Sequence, residues 1–127
     1  METAVAITIV LTIVLATSVY FTSGNSGFER NRIKRAAFEE VKNRMEEIAI
    51  SSYYNLDSMS ETAVPVTLGE ITGYRDTIVD DIDDALDGTG SGDNDGNTID
   101  YKRIRVILRW TLEKEYSITF ETYRSEF

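Results

Sequence analysis

Hydrophobic positions follow three successive patterns along the chain, and each pattern predicts a different element. Residues 4–21 (AVAITIVLTIVLATSVYF) form a nearly unbroken apolar run inside an uncharged stretch from 3 to 28. A helix of about 20 apolar residues covers the hydrocarbon of a bilayer. Isoleucine and valine also suit strands, but a lone strand in lipid leaves its backbone groups unpaired, so the run is predicted to be helical. Residues 28–50 (FERNRIKRAAFEEVKNRMEEIAI) then take a helical period. Ile33, Ala37, Val41, Met45 and Ile48 recur at steps of three and four, and Phe38 and Ala49 widen the stripe. Arg35 with Glu39, and Glu40 with Arg44, stand at the spacing of ion pairs on an exposed helix face. Between the two stretches, Gly24 and Gly27 weaken a helix interior and are predicted to form a hinge. Joined end to end, the two stretches make a rod about 75 Å long at 1.5 Å per residue.

After Ile50 the period shortens to two. Residues 64–68 (VPVTL) read as an edge strand, because Pro65 has no amide to donate to a central ladder. Residues 74–79 (YRDTIV) are a weaker strand, and 87–97 (DGTGSGDNDGN) a loop of glycine and aspartate turns. Residues 102–110 alternate, with Ile104, Val106, Leu108 and Trp110 on one side and Arg103, Arg105, Ile107 and Arg109 on the other. Residues 116–123 alternate as well, and 111–115 closes a hairpin. The arginines are predicted to pair with Glu115, Glu121 or the acidic middle of the chain. The fold class is therefore α+β: a long N-terminal α-helix, with a transmembrane half and an amphipathic half, packed on a small antiparallel β-sheet head. The segments are 1–27, 28–52 and 53–127.

Composition narrows the chemistry. The 127 residues include no cysteine, which excludes disulfides and thiolate sites, and no histidine, the commonest general base and metal ligand. Net charge is −9, and residues 51–100 hold twelve acidic side chains against one basic, Arg75. That balance argues against nucleic-acid binding, which needs clustered lysine and arginine. Asp93, Asp95 and Asn97 alternate around Gly96 with oxygen-rich spacing that permits a calcium ion. Lys102 stands where a helix–loop–helix calcium loop needs its glutamate, if Ser91 opens the loop. No other cofactor is expected. A carboxylate-based hydrolase rests only on the aspartate density of a solvated loop, so the chain is not expected to be an enzyme.

Three readings compete for the amino-terminal run: a cleaved secretory signal, a plain signal anchor and a filament-forming helix. Met1-Glu2 is not the basic start of a signal peptide. Arg30, Arg32, Lys34 and Arg35 follow the run while nothing basic precedes it, which by the positive-inside rule would leave the rest of the chain in the cytoplasm.

A polar entry with glutamate, an apolar helix, an amphipathic continuation and an antiparallel head, in that order, resemble the type IV pilins and the pseudopilins of type II secretion. Residues 2–7 (ETAVAI) are similar to the family's motif after its processing site, and 99–110 (IDYKRIRVILRW) to a strand of minor pilins and minor pseudopilins. The resemblance implies a structural subunit of a pilus-like filament, with Glu2 as its assembly residue. The filament-core helix would comprise Ala4, Val5, Ile7, Ile9, Val10, Leu11, Ile13, Val14, Leu15 and Val19. It also implies an inner-membrane stage with a periplasmic head, then a periplasmic or extracellular filament. The implied partners are identical or related pilin subunits, a prepilin peptidase, an inner-membrane assembly platform and, before assembly, membrane lipid. The family's basic leader ending in glycine is not in this sequence, so Met1 is expected not to be the biological start. A leader carrying lysine or arginine would also resolve the topology conflict. The alternative is a generic single-pass, membrane-anchored periplasmic binding module.

Overall fold

The computed structural model describes residues 2–86, 88, 89, 92 and 99–126, and within the helix the side chains of 13–15, 17, 18, 24 and 27–50. One helix, α1 (Glu2–Ile50), is followed by two single-turn 3-10 helices, Tyr53–Asn55 and Asp57–Met59. Four strands complete the chain: β1 (Glu61–Leu68), β2 (Ile71–Ile82), β3 (Tyr101–Thr111) and β4 (Glu115–Arg124). All neighbours are antiparallel and sheet order follows chain order, β1-β2-β3-β4. Two compact units result, Met1–Arg35 and Ala36–Phe127. The division falls inside the stretch expected to be the amphipathic segment.

In the second unit, residues 36–50 of α1 lie on one face of the sheet. Ala37, Val41 and Ile48 are buried there, and the Phe38 ring meets Phe120 of β4 edge-on at 5.4 Å between centroids. Met45 is only half-buried and Ala49 is exposed, so the stripe is narrower than its sequence period implies. The strand alternation places Ile104, Val106, Leu108 and Trp110 on the helix side, all buried. Leu56, between the two 3-10 turns, and Leu68 complete this core. The last turn of α1 contains no basic residue. Its open carbonyls are met instead by Arg124 of β4, whose Nη1 donates to the carbonyl oxygens of Ile48, Ala49 and Ser51 at 3.0–3.1 Å.

Turn chemistry sets the strand ends. The β1–β2 connection is the two residues Gly69 and Glu70, and Gly69 takes φ 71°, a left-handed conformation that glycine adopts without strain. Pro65 does lie on an edge strand, β1. Strand β2 is twice as long as the predicted 74–79 stretch. Its glycine, Gly73, lies opposite Trp110, and a β-carbon there would sit 2.8 Å from Leu68 Cδ1 and 3.1 Å from the Arg109 carbonyl oxygen. The Arg109 carbonyl belongs to the paired strand and moves only with the sheet. Gly73→Ala is therefore expected to destabilise the head by about 1–3 kcal/mol, read as a shift in urea midpoint without a change of slope.

The expected architecture is corrected. Among the described residues no helix is long and apolar enough to cross a membrane, so the transmembrane half is not found there. The sheet is not a small head on a dominant rod. Strand β3 alone, at 11 residues, spans about 36 Å at 3.3 Å per residue. The helix portion in the same compact unit, residues 36–50, spans only about 22 Å. Long strands offering one continuous apolar face need only a few helical turns to cover them. Helical backbone also continues through Gly24 and Gly27, the expected hinge, and a β-carbon at either would meet nothing within 4 Å. Each glycine costs about 1 kcal/mol relative to alanine, which long helical flanks absorb.

Candidate functional site

Two regions carry the candidate chemistry: the amino-terminal part of α1 and the charged clusters of the sheet. Glu2 opens the helix, and Ala4, Val5, Ile7, Ile9, Val10, Leu11 and Val19 follow in its backbone. Their side chains lie outside the described residues. Ile13, Val14 and Leu15 are described and stand 58%, 56% and 60% exposed. The polar residues just beyond turn inward on the helix itself. Thr17 Oγ1 donates to the Ile13 carbonyl at 2.7 Å, and Ser18 Oγ to the Val14 carbonyl at 2.9 Å. Such back-bonding satisfies a hydroxyl without water.

In the head, polar side chains on the helix side of the sheet collect around Glu61. Its carboxylate accepts from Arg75 Nε at 2.6 Å and Thr77 Oγ1 at 2.9 Å, and lies 3.3 Å from Arg44 Nε. Arg75 also donates to Glu40 of the helix at 2.5 Å. Burial pushes the Glu61 carboxyl up, but the hydrogen bonds from Arg75 and Thr77 and the charges of Arg75 and Arg44 outweigh it. The net result holds Glu61 below its ordinary value. Glu40 and Arg44 were expected to pair along the helix. Instead Glu40 reaches Arg75, while Arg44 binds Glu47, Thr77 and the Met59 carbonyl. A second cluster surrounds Lys102, only 4% exposed, whose ammonium donates to Asp57 and Asp81 at 2.7 Å each. Burial alone would lower its pKa, and the two carboxylates raise it.

On the opposite face, Asp80 accepts from Arg103 and Arg105 at 2.9 and 3.0 Å, and Asp76 accepts from Arg109. The Arg103 hydrogen bond, the largest influence on Asp80, draws its pKa below the ordinary carboxylate range. The arginines therefore pair with the acidic middle, through strand β2. Among the described contacts, Glu121 instead accepts from the Tyr123 hydroxyl. These carboxylates are occupied by guanidinium or ammonium groups, so the clusters fix strand and helix positions.

Asp93, Asp95 and Asn97, the candidate calcium ligands, lie outside the described residues. Among the described residues no group of three or more acidic side chains is placed to hold a metal ion. Sequence reasoning missed one concave region on the far side of the sheet, where Tyr74, Arg109 and Glu115 converge. The cross-strand pairing of residues 74 and 109 was the missing signal, and it depends on a β2–β3 register that the intervening loop conceals. Comparison of the chain with protein-family models, with curated proteins and with solved structures finds no match.

Proposed function

We infer that the chain is a structural subunit of a type IV pilus-like filament, a minor pilin or pseudopilin, which assembles through its apolar amino-terminal helix. The observation that carries this reading is the exposed Ile13-Val14-Leu15 surface on a helix with no charged residue from 3 to 28. Contiguous exposed apolar surface of this kind marks an interaction site. Identical or related subunits would cover it in the filament, and lipid of the inner membrane would cover it beforehand, with the head on the periplasmic side. Glu2, at the edge of the uncharged stretch, would meet a neighbouring subunit's amino terminus, which offsets the cost of burying its charge. Processing by a prepilin peptidase and extraction by an assembly platform belong to the same reading.

The test is assembly of the purified full chain as detergent is withdrawn, followed by sedimentation and electron microscopy. Wild type is expected to form filaments. Leu15→Asp is expected to abolish them, because an unpartnered carboxylate in a helix–helix interface costs several kcal/mol. The circular dichroism of the sheet should not change. A full chain that stays monomeric in plain buffer defeats the reading. The alternative, an anchored binding module, predicts single subunits in micelles and no effect of Leu15→Asp on self-association.

A further inference from the structure

A strained residue leads to the far side of the sheet. Ala63 takes φ 52°, a left-handed conformation that side chains with a β-carbon rarely adopt, where the β1–β2 register shifts between Glu61 and Val64. Strained backbone of this kind persists where surrounding contacts over-determine it, and it concentrates at binding sites. Here the contact is specific. The Ala63 amide donates at 2.7 Å to Asp76 Oδ1, and the other oxygen of Asp76 accepts from Arg109. Asp76 is 6% exposed, whereas the Arg109 side chain is 45% exposed. The bulge thus positions a buried carboxylate, and the carboxylate positions a guanidinium whose outer half is open.

Around that guanidinium is a cavity of about 460 Å³, within the range of small-molecule sites. Tyr74, the cross-strand partner of Arg109, offers a half-exposed ring. Glu115, Thr72 and Thr111 supply a carboxylate and two hydroxyls to the lining. Trp110 also lines the cavity. Its ring lies on the helix side, held by stacking on Tyr116 at 5.7 Å and 12°, and closes the floor behind the cavity.

The mixture of groups selects the ligand. An anion drawn to Arg109 would face Glu115, and a cation drawn to Glu115 would face Arg109. A neutral molecule with adjacent hydroxyls satisfies both planar groups, while its apolar face lies on the Tyr74 ring. We propose that this cavity is a saccharide-binding site, with Tyr74 as the stacking platform and Arg109 and Glu115 as the hydrogen-bonding groups. The site does not depend on filament assembly, and its test uses dispersed subunits.

Trp110 is the sole tryptophan and stands in β3 between Arg109 and Thr111 of the lining, so its fluorescence is one readout of the site. The full chain in detergent would be titrated with glucose, galactose, N-acetylglucosamine, maltose and lactose, with glycerol as a hydroxyl-rich control lacking a ring. The expected result is a saturable change with at least one saccharide and none with glycerol. The Tyr74 and Thr111 amide resonances should shift along the same curve. Glu115→Gln and Tyr74→Ala are each expected to weaken binding about ten-fold or more, with the thermal unfolding midpoint of the exposed Glu115→Gln variant unchanged. Absence of any saturable change in both fluorescence and amide shifts overturns the proposal. So does binding that survives both substitutions at full strength.

Discussion

Arg75→Met is expected to destabilise the head by about 3 kcal/mol, although methionine retains most of the volume and apolar stem of arginine. The guanidinium is 14% exposed and serves two carboxylates, Glu61 at 2.6 Å and Glu40 at 2.5 Å, so its removal leaves acidic groups in a poorly solvated seam. Breaking such a pair on one side costs far more than the pair contributes, because the remaining charge keeps its desolvation penalty. Glu61→Gln with Arg75→Met should recover part of the loss, since the double variant leaves only the more exposed Glu40 without its arginine. The pH dependence carries a defined sign. The folded pKa of Glu61 is depressed, so its contribution is present above its ordinary value of 4.5 and is lost as pH falls through the folded value. Without Arg75 the depression shrinks, and the gap between wild type and variant should narrow below that pH. Urea unfolding at neutral and acidic pH measures this directly. A constant gap would show that the loss comes from packing and not from charge.

Leu108→Ala should cost about 3–4 kcal/mol, because Leu108 is fully buried at the centre of the sheet's helix side. It is paired with Arg75 on β2 and Ile118 on β4, and its Cδ1 already crowds the space over Gly73. The neighbouring elements are held by two strand ladders and a helix, so they collapse poorly into the vacated volume and the cavity term stays large. Ile107, one residue away on the far side, is only half-buried. Ile107→Ala should cost about 1 kcal/mol, a third of the effect, despite the similar volume lost. Equal costs for the two would mean that the alternation of β3 has been assigned to the wrong faces.

The alternation of β3 was legible because isoleucine, valine, leucine and tryptophan at even positions leave no other register in which the core closes. Pro65 marked an edge strand for the same reason that it cannot serve a central one. The end of β2 was not legible. Asp80, Asp81 and Ile82 fall beyond the predicted 74–79 strand, since aspartate is depleted in strands. They are paired residue by residue with Arg103, Lys102 and Tyr101, and cross-strand charge overrides the local preference. The Gly69-Glu70 turn was readable in principle, as glycine between two alternating runs. Lys102 shares the even parity of the core residues, and its burial could have been read from that parity alone. The two carboxylates that make its burial tolerable come from 45 and 21 residues away. The concave site could not be found from one segment, because its residues come from β1, β2, β3 and the start of β4. On the helix, periodicity correctly marked Ile33, Ala37, Val41 and Ile48 as buried. Hydropathy alone, however, promised a spanning segment that the described residues do not contain.

Synthesis runs from the amino terminus, which gives the Arg124 clamp a temporal meaning. The carbonyls of Ile48, Ala49 and Ser51 leave the ribosome more than 70 residues before the guanidinium that holds them. Until β4 arrives, water must cap the helix end, β3 lacks one of its two neighbours, and Phe38 lacks the ring it packs against. The sheet is complete only once β4 has been made. A factor that keeps nascent apolar surface from aggregating therefore has that whole interval in which to act.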